Sequence, residues 1–552
     1  MTVSYMTIRR IGLACLALPS LIFLLGFLRW YIAVPLSIAL LLAYWFAARS
    51  RGEAREGITL SPRCFAAVLA VAALWCWLAG IGGLYYQSAD YAARNAVFRD
   101  LITLEWPVLY PHKNSALVYY IGFWLPAALV GKCFLPLGAD AAFLAGNLAL
   151  LLYAVLCVST VFLLLLSFLR VREGKRVALV LCVFILFSGL DILGTLCNAA
   201  FMGHSIPDHI EWWAFYFQFS SNTTALFWVF NQAIPCFLAT LLFLSEERAH
   251  SDAFLLIALL AFSPFACVGL AVLMLVRFAA RFLPAVGQGE GRALWRELLS
   301  VQNLVPLFTL LPVFFLYYKT NLAFAMTKLP QLGWRHLALA LAGVLCLVLL
   351  PLGYRYLARR IKGLRPAHCA LALLALLLCI APLLFTRAEA IYYSFLLLEC
   401  GIYLALLYKE HCTDSLYFAT DFLLALCPLF VIGTSADFSM RVSLPALCVL
   451  CVLCLRSLLA GISAWRESAP VWRRVMLWGL CAALLLGAVT PMFELVRGVV
   501  AVCREGTLLA VNDSYGTMAQ IFPNGIGSTD KNFIAWDYTK TFFFRYLAKG
   551  VG

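Results

Sequence analysis

Groups able to carry chemistry are few in this chain, and their spacing limits what each can do. The polar stretch 85–113, YYQSADYAARNAVFRDLITLEWPVLYPHK, places Asp90 and Asp100 between runs that are comfortable only in lipid. A carboxylate there can serve as general base toward a hydroxyl or an amine. Residues 88–104 contain no helix breaker and read as an amphipathic surface helix, with Ala92, Ala93, Val97, Phe98 and Leu101 inward. In a continuous helix the two acids stand about 15 Å apart along the axis and cannot both touch one reacting atom. One base and one structural acid is the division that geometry allows. Asp90 follows an apolar run directly, where an acceptor or a lipid headgroup is met first, and takes the role of base. Asp100 has Arg99 and Lys113 nearby as ion-pair partners. The plain alternative is a solvated helix face with no chemistry.

Three further places carry polar groups among apolar runs. Asp437 and Arg441, in FVIGTSADFSMRVSLPAL, are four apart and can form an intrahelical ion pair. Alternatively, the planar donor fork of Arg441 can hold a phosphate or pyrophosphate where the loop meets the bilayer surface. Asp191 lies in VLCVFILFSGLDILGTLC, and a charge at membrane depth costs enough to mark a functional candidate. Its other reading is an interfacial acid bonded to a neighbouring helix. The stretch GHSIPDHIEWWAFYFQFSSNTTALFWVFNQ gathers His204, Asp208, His209, Glu211, Asn222, Asn231 and Gln232 among aromatic residues. Those rings suit a membrane-interface belt or a sugar-stacking surface. A divalent metal on the histidine and acidic residues is the one cofactor the stretch suggests, although DHIE lacks the HExxH spacing. Asn222-Thr223-Thr224 also matches a glycosylation acceptor.

The elements that must position these groups follow from composition. Of 552 residues, 64% are hydrophobic and only 12% charged, which a soluble domain could not bury. Mean hydropathy is +0.93. Apolar runs give about fourteen to sixteen transmembrane or re-entrant helices. The net charge of +14 resides largely in short connections at 49–55, 170–176, 277–296, 355–365 and 465–474. That is a positive-inside pattern, so it sets topology and implies a bilayer partner and no nucleic acid. The twenty cysteines are scattered through apolar runs, and Cys448, Cys451 and Cys454 sit in a leucine-rich span, as small buried apolar residues do.

With those connections cytoplasmic, 31–48 returns the chain inward and 64–84 carries it out, so loop 85–114 faces outward. From the other end, 368–385, 391–408, 417–434, 443–460 and 474–493 alternate and put the Asp437 connection on the same outer side. In the middle, full crossings by both 115–135 and 141–169 would leave the basic 170–176 outside. Either the first, with Pro126 and Lys132, is re-entrant, or the second breaks in two. Residues 253–276 raise the same question: the run either crosses or forms a hairpin of two short helices turning at Ser263 and Pro264. The expected architecture is an all-α polytopic membrane domain over 1–493, with outer loops 85–114 and 199–223. An outer tail follows over 494–552.

A first outer loop opening on an acid, followed by WPVLYPHKNSALVYYIGFWLP with Gly131 and Lys132, resembles the membrane glycosyltransferases of the GT-C class. The segments LFSGLDILG, FSSNTTALFWVFNQ, SPFACVG, DFSMRVSLPAL and FFFRYLAK are similar to a group of bacterial polytopic proteins associated with that class. The resemblance implies a GT-C-like fold in a bacterial inner membrane, with the site facing the periplasm or exterior. It implies a polyprenyl-phosphate sugar donor, a glycan, lipid or protein acceptor, and inversion at the anomeric carbon. The base role falls on Asp90, with Arg441 and Lys113 receiving the donor phosphate. The chain departs from the class in having Tyr91 after Asp90, where an acidic pair or an acid followed by histidine is usual. The rival reading is a transporter or flippase of a lipid-linked saccharide, with Asp191 and Arg441 lining a path. A polysaccharide polymerase or ligase would carry a large late outer loop, and the late loops here are short.

Overall fold

The computed structural model describes residues 2–50, 57–203, 205, 207–321, 387–432, 436–465, 471–509, 511–521 and 532–550. The basic connection 355–365, the run 368–385 and His204 lie outside the described residues. Among the described residues, nine helices are long and apolar enough to cross a membrane, and four shorter apolar helices accompany them. The chain is an all-α polytopic membrane protein.

Strand β1 (Thr2–Val3) leads into helix α1 (Tyr5–Phe27), capped by Ser4; α2 (Trp30–Arg49), β2 (Ile58–Thr59), which pairs antiparallel with β1, and α3 (Pro62–Leu78) follow. Arg9 in α1 is fully buried, pairs with Glu246 at 2.6 Å and donates to the carbonyl of Ala47. The start of α1, the end of α2 and the segment holding Glu246 therefore meet at one end of the bundle. The outer-loop helix α4 spans Tyr91–Thr103, and all five residues expected to face inward are buried.

Beyond it, β3 (Leu109–Tyr110) and β4 (Ser115–Leu117) lead into α5 (Leu125–Phe134) and then α6 (Ala139–Phe168). With its flanking 3-10 turns α5 belongs to an apolar helical run Ile121–Leu137, about 25 Å long and short of the ~30 Å hydrocarbon thickness, whereas the 30 residues of α6 reach about 45 Å. The α5 side chain of Lys132 comes back to the carbonyl of Ile102 at the end of α4, at 3.2 Å. The end of the run 115–135 thus lies beside α4, and of the two helices α6 alone is among those long enough to cross a membrane. That geometry matches the first of the two alternatives, in which 115–135 does not cross.

Helices α7 (Gly174–Ile185), α8 (Asp191–Met202) and α9 (Asn222–Ser245) follow, with α9 kinked at Val229. The short α10 (Asp252–Leu260) then turns into α11 (Pro264–Gly287), with Ser263 capping α11. Asp252 at the start of α10 pairs with Arg277 of α11 at 3.3 Å, so this hairpin enters from the end that holds Glu246. Its tip meets the segment that leads into α5. Gly122 N–H donates to Ala261 C=O at 3.0 Å, and a Cβ on Gly122 would lie 2.5 Å from that oxygen. Gln232 of α9 accepts from Ser263 Oγ at 2.8 Å and steadies the junction.

After α12 (Gly291–Leu298) and α13 (Val301–Tyr318), the described chain resumes with α14 (Arg387–Leu396). A π-helical turn, Leu397–Gly401, joins it to α15 (Ile402–His411). Helices α16 (Ser415–Leu426), α17 (Asp437–Val442), α18 (Leu444–Trp465), α19 (Val471–Gly487) and α20 (Val489–Glu505) complete the bundle. The border expected at 493/494 falls inside α20, which ends at Gly506 in a left-handed cap. Further on, β5 (Ile534–Trp536) adds antiparallel to β4, giving the order β3-β4-β5 with Ala116 opposite Ala535. The tail is thereby built into the first outer loop.

Candidate functional site

Asp90 stands at the N-cap position of α4, yet its carboxylate makes no cap hydrogen bond. It pairs instead with Arg94 one turn on, at 2.8 Å. The aspartate side chain is 48% exposed and the arginine side chain 5%, so one partner meets solvent while the other is enclosed. Arg94 Nε and Nη1 have no hydrogen-bond partner among the described residues. A buried guanidinium with spare donors is costly unless something anionic uses them.

The same local design recurs in α17, where Asp437 and Arg441 pair at 3.4 Å. Both helices begin with an aspartate, an aromatic residue and, three positions later, an arginine: DYAAR at 90–94 and DFSMR at 437–441. The aromatic residues anchor the two motifs. Tyr91 stacks on Phe230 at 5.7 Å, and Phe438 meets Phe265 edge-on at 5.3 Å.

The two motifs converge on Tyr119 and Tyr120, which lead into α5. Burial pushes the Tyr119 phenol up; Arg94 and Arg441 oppose the rise, and Asp437 and Asp90 add to it. One hydroxyl therefore feels all four charges. Burial also raises Tyr120, with Tyr119 and Asp437 adding and Arg441 opposing. Tyr120 contacts Tyr318 at 5.7 Å and Phe265 at 6.4 Å. The structure thus brings Asp90, Asp437 and Arg441 into one electrostatic neighbourhood and adds Arg94 and Tyr119.

Asp100 faces elsewhere. It is buried, and its Oδ2 accepts from the Tyr110 hydroxyl at 2.6 Å and from Met518 N–H at 3.2 Å. Burial pushes its pKa up to about 6, against the lowering effect of those two hydrogen bonds. Arg99 pairs with Asp513 of the tail at 2.6 Å instead of with Asp100. Asp100 is therefore a lock between the first outer loop and the tail. Lys113 closes the turn Pro111–Lys113, next to Asn114, which donates to Asp537 at 2.7 Å.

A second polar cluster joins α8, the 207–221 loop, the π-helical turn and α20. Asp191 accepts from Ser188 Oγ at 2.9 Å and Thr490 Oγ1 at 3.0 Å. Glu399, beside Asp191, accepts from Trp213 Nε1 at 3.0 Å. His209 Nδ1 meets Glu494 at 3.0 Å, and its Nε2 lies 3.6 Å from Glu211. Glu211 accepts from Ser221 N–H and Gln218 Nε2, while Trp228 Nε1 donates to Glu494. Burial raises Glu211 to about 7; His209 opposes the rise and Asp191 adds to it. Burial draws His209 down, but the Glu494 hydrogen bond and the carboxylates of Glu211 and Glu494 outweigh it, and the net shift is upward. Asn222 is 2% exposed and donates to Phe184 C=O at 2.7 Å, which closes the glycosylation match to any enzyme. Among the described residues no group of three or more histidine, cysteine or acidic side chains is arranged to hold a metal. This cluster fastens the second outer loop to the bundle.

Reading the sequence missed Arg94, Tyr119, Glu399 and Glu494. The repeated aspartate–aromatic–arginine pattern was a usable sign for the first, and a lone glutamate in an apolar run for Glu399. Neither Tyr119 nor Glu494 stands out before packing is known. No protein-family model, curated protein or solved structure matches the chain.

Proposed function

We propose that the chain is a GT-C-type membrane glycosyltransferase that moves a sugar from a polyprenyl-phosphate donor to an acceptor on the outer side. The observation that carries this reading is the convergence of two Asp–Arg pairs on Tyr119, with Asp90 the more exposed acid. Asp90 takes the proton of the acceptor hydroxyl or amine as that atom attacks the anomeric carbon. The bond from that carbon to the phosphate oxygen breaks, and the polyprenyl phosphate leaves with the electron pair. Arg441 and the spare N–H groups of Arg94 receive the developing charge, with Lys113 as a further cation. A single in-line displacement inverts the anomeric centre. The setting is a bacterial inner membrane with the site on the periplasmic or exterior face.

Asp90→Asn tests the base. The carboxylate caps no helix N–H and is half exposed, so the variant should fold and insert. Transfer from a radiolabelled polyprenyl-phosphate sugar should fall roughly 10²- to 10⁴-fold, the usual share of general base catalysis. Full transfer by the variant would sink the assignment.

One observation favours a second reading, a flippase or transporter of a lipid-linked saccharide. Interrupted helices line transport paths, and here two re-entrant elements meet at Gly122 and Ala261. Movement of a lipid-linked sugar across liposomes holding the purified protein, with no new glycosidic bond, would decide for it.

A further inference from the structure

At the end of the bundle opposite Asp90 lies a second opening, independent of the proposed reaction. It is a cavity of about 900 Å³ bounded by α11, α16, α18 and the ends of α6 and α9. Its wall is apolar where Leu244, Leu416, Val449, Val452 and Leu453 face it, and arginines stand around it.

Most of the charges there are already committed. Glu246 is bound by Arg9 at 2.6 Å. Arg277 donates to the carbonyls of Phe243 and Glu246 and pairs with Asp252. Arg281 is held by Glu297 at 3.0 Å. Asp414 caps α16 through Leu416 N–H at 2.9 Å. Two guanidiniums remain. Arg170 is exposed, just past α6, and Arg456 is exposed within the apolar helix α18. Neither side chain has a salt bridge or hydrogen-bond partner among the described residues; Arg456 has only the Phe168 ring, at 5.9 Å. The remaining acid, Glu247, is exposed on the rim.

An arginine inside a span calls for an anion or water, and such positions are functional by default. Arg456 lies nine residues, about 13 Å, before Trp465 at the end of α18, so its charge sits below the bilayer surface. A cavity with an apolar wall and free arginines has the two-part chemistry of a phospholipid. Basic pockets between spanning helices on the cytoplasmic side take such headgroups.

We propose that this cavity binds one anionic glycerophospholipid from the arginine-rich leaflet. The phosphate lies between Arg456 and Arg170, and an acyl chain lies along the valine and leucine wall. A free phosphate ester would satisfy the arginines but leave that wall empty, which commits the site to a lipid.

The full chain, purified and stripped of lipid, should retain one added phosphatidylglycerol in native mass spectrometry. Arg456→Gln and Arg170→Gln should each weaken that retention at least fivefold, and neither substitution removes an ion pair. Arg456→Lys should recover part of the loss. Equal retention by wild type and both glutamine variants would overturn the site. Competition by glycerol phosphate as strong as by the lipid would overturn the lipid assignment.

Discussion

Removing the carboxylate at Asp100 should release the tail from the first outer loop, and the size of the effect should depend on pH. In Asp100→Ala the Tyr110 hydroxyl and Met518 N–H lose their acceptor in a buried setting. Two unmade bonds of this kind cost about 2–4 kcal/mol together. Tail opening should then rise roughly 30- to 10³-fold. Asp100 also carries its own penalty. Its pKa rises from 3.8 to about 6, so the folded state binds more protons than the unfolded state between those values. Stability therefore falls as pH rises through that window, by about 3 kcal/mol, and is level above it. The alanine variant lacks this penalty, so its deficit against wild type should be larger at pH 5 than at pH 8. Asp100→Asn keeps an acceptor and loses the ionisation; it should hold the tail and flatten the pH dependence. Pulse proteolysis of residues 511–521 at the two pH values reads the opening. Unchanged cleavage in the alanine variant, or an asparagine variant that opens as readily as alanine, would refute the lock.

Three further expectations follow from other contacts. Arg441→Gln should lower transfer roughly ten- to hundredfold by removing charge-assisted bonds to the donor phosphate, with Lys restoring part; unchanged donor KM and kcat would remove Arg441 from the site. Gly122→Ala drives a Cβ toward the Ala261 carbonyl and should cost about 1–3 kcal/mol in thermal melts, whereas Gly174→Ala, with nothing within 4 Å, should be near neutral. The 207–221 loop should loosen as pH rises. Buried Glu211 holds a proton up to about 7, so its contribution declines from 4.5 to 7, and that of His209 is full below 6.5 and lost as pH passes its raised value. Hydrogen exchange corrected for intrinsic rates should show this, and a loop that tightens with pH would contradict it.

The spans were legible because lipid imposes long apolar runs, and charge balance alone exposed the conflict between 115–135 and 141–169. Choosing the first as re-entrant needed the return of Lys132 to Ile102, a contact between residues thirty apart. The break at Ser263 was readable because proline after serine starts a helix, but only the first of the two helices is short: α11 runs 24 residues to Gly287 and is long enough to cross. Asp90 and Arg441 were legible as polar outliers between apolar runs, but the shared effect of their pairs on Tyr119 was hidden, because 350 intervening residues separate them. Asp100 was indistinguishable from Asp90 by residue type. What separates them is a partner on the tail, Met518, more than four hundred positions away.

The tail's place beside β4 bears on the site itself. Strand β4 runs directly into Val118, Tyr119 and Tyr120, and Val118 N–H donates to Phe533 C=O at 2.9 Å. Asn321 ties the carbonyls of Val118 and Asn532 together, at 2.7 and 2.9 Å, and the Phe533 ring lies 4.4 Å from that of Tyr119. The tyrosine that senses both Asp–Arg pairs is thus held by α13, whose Tyr317 hydroxyl accepts from its N–H at 3.3 Å, and by the tail. Strands of two or three residues need a hydrophobic face or packing against neighbouring elements to be stable. The sheet's strength comes from these side-chain and ring contacts, so the C-terminal segment is part of what positions the site and is more than a cover over it.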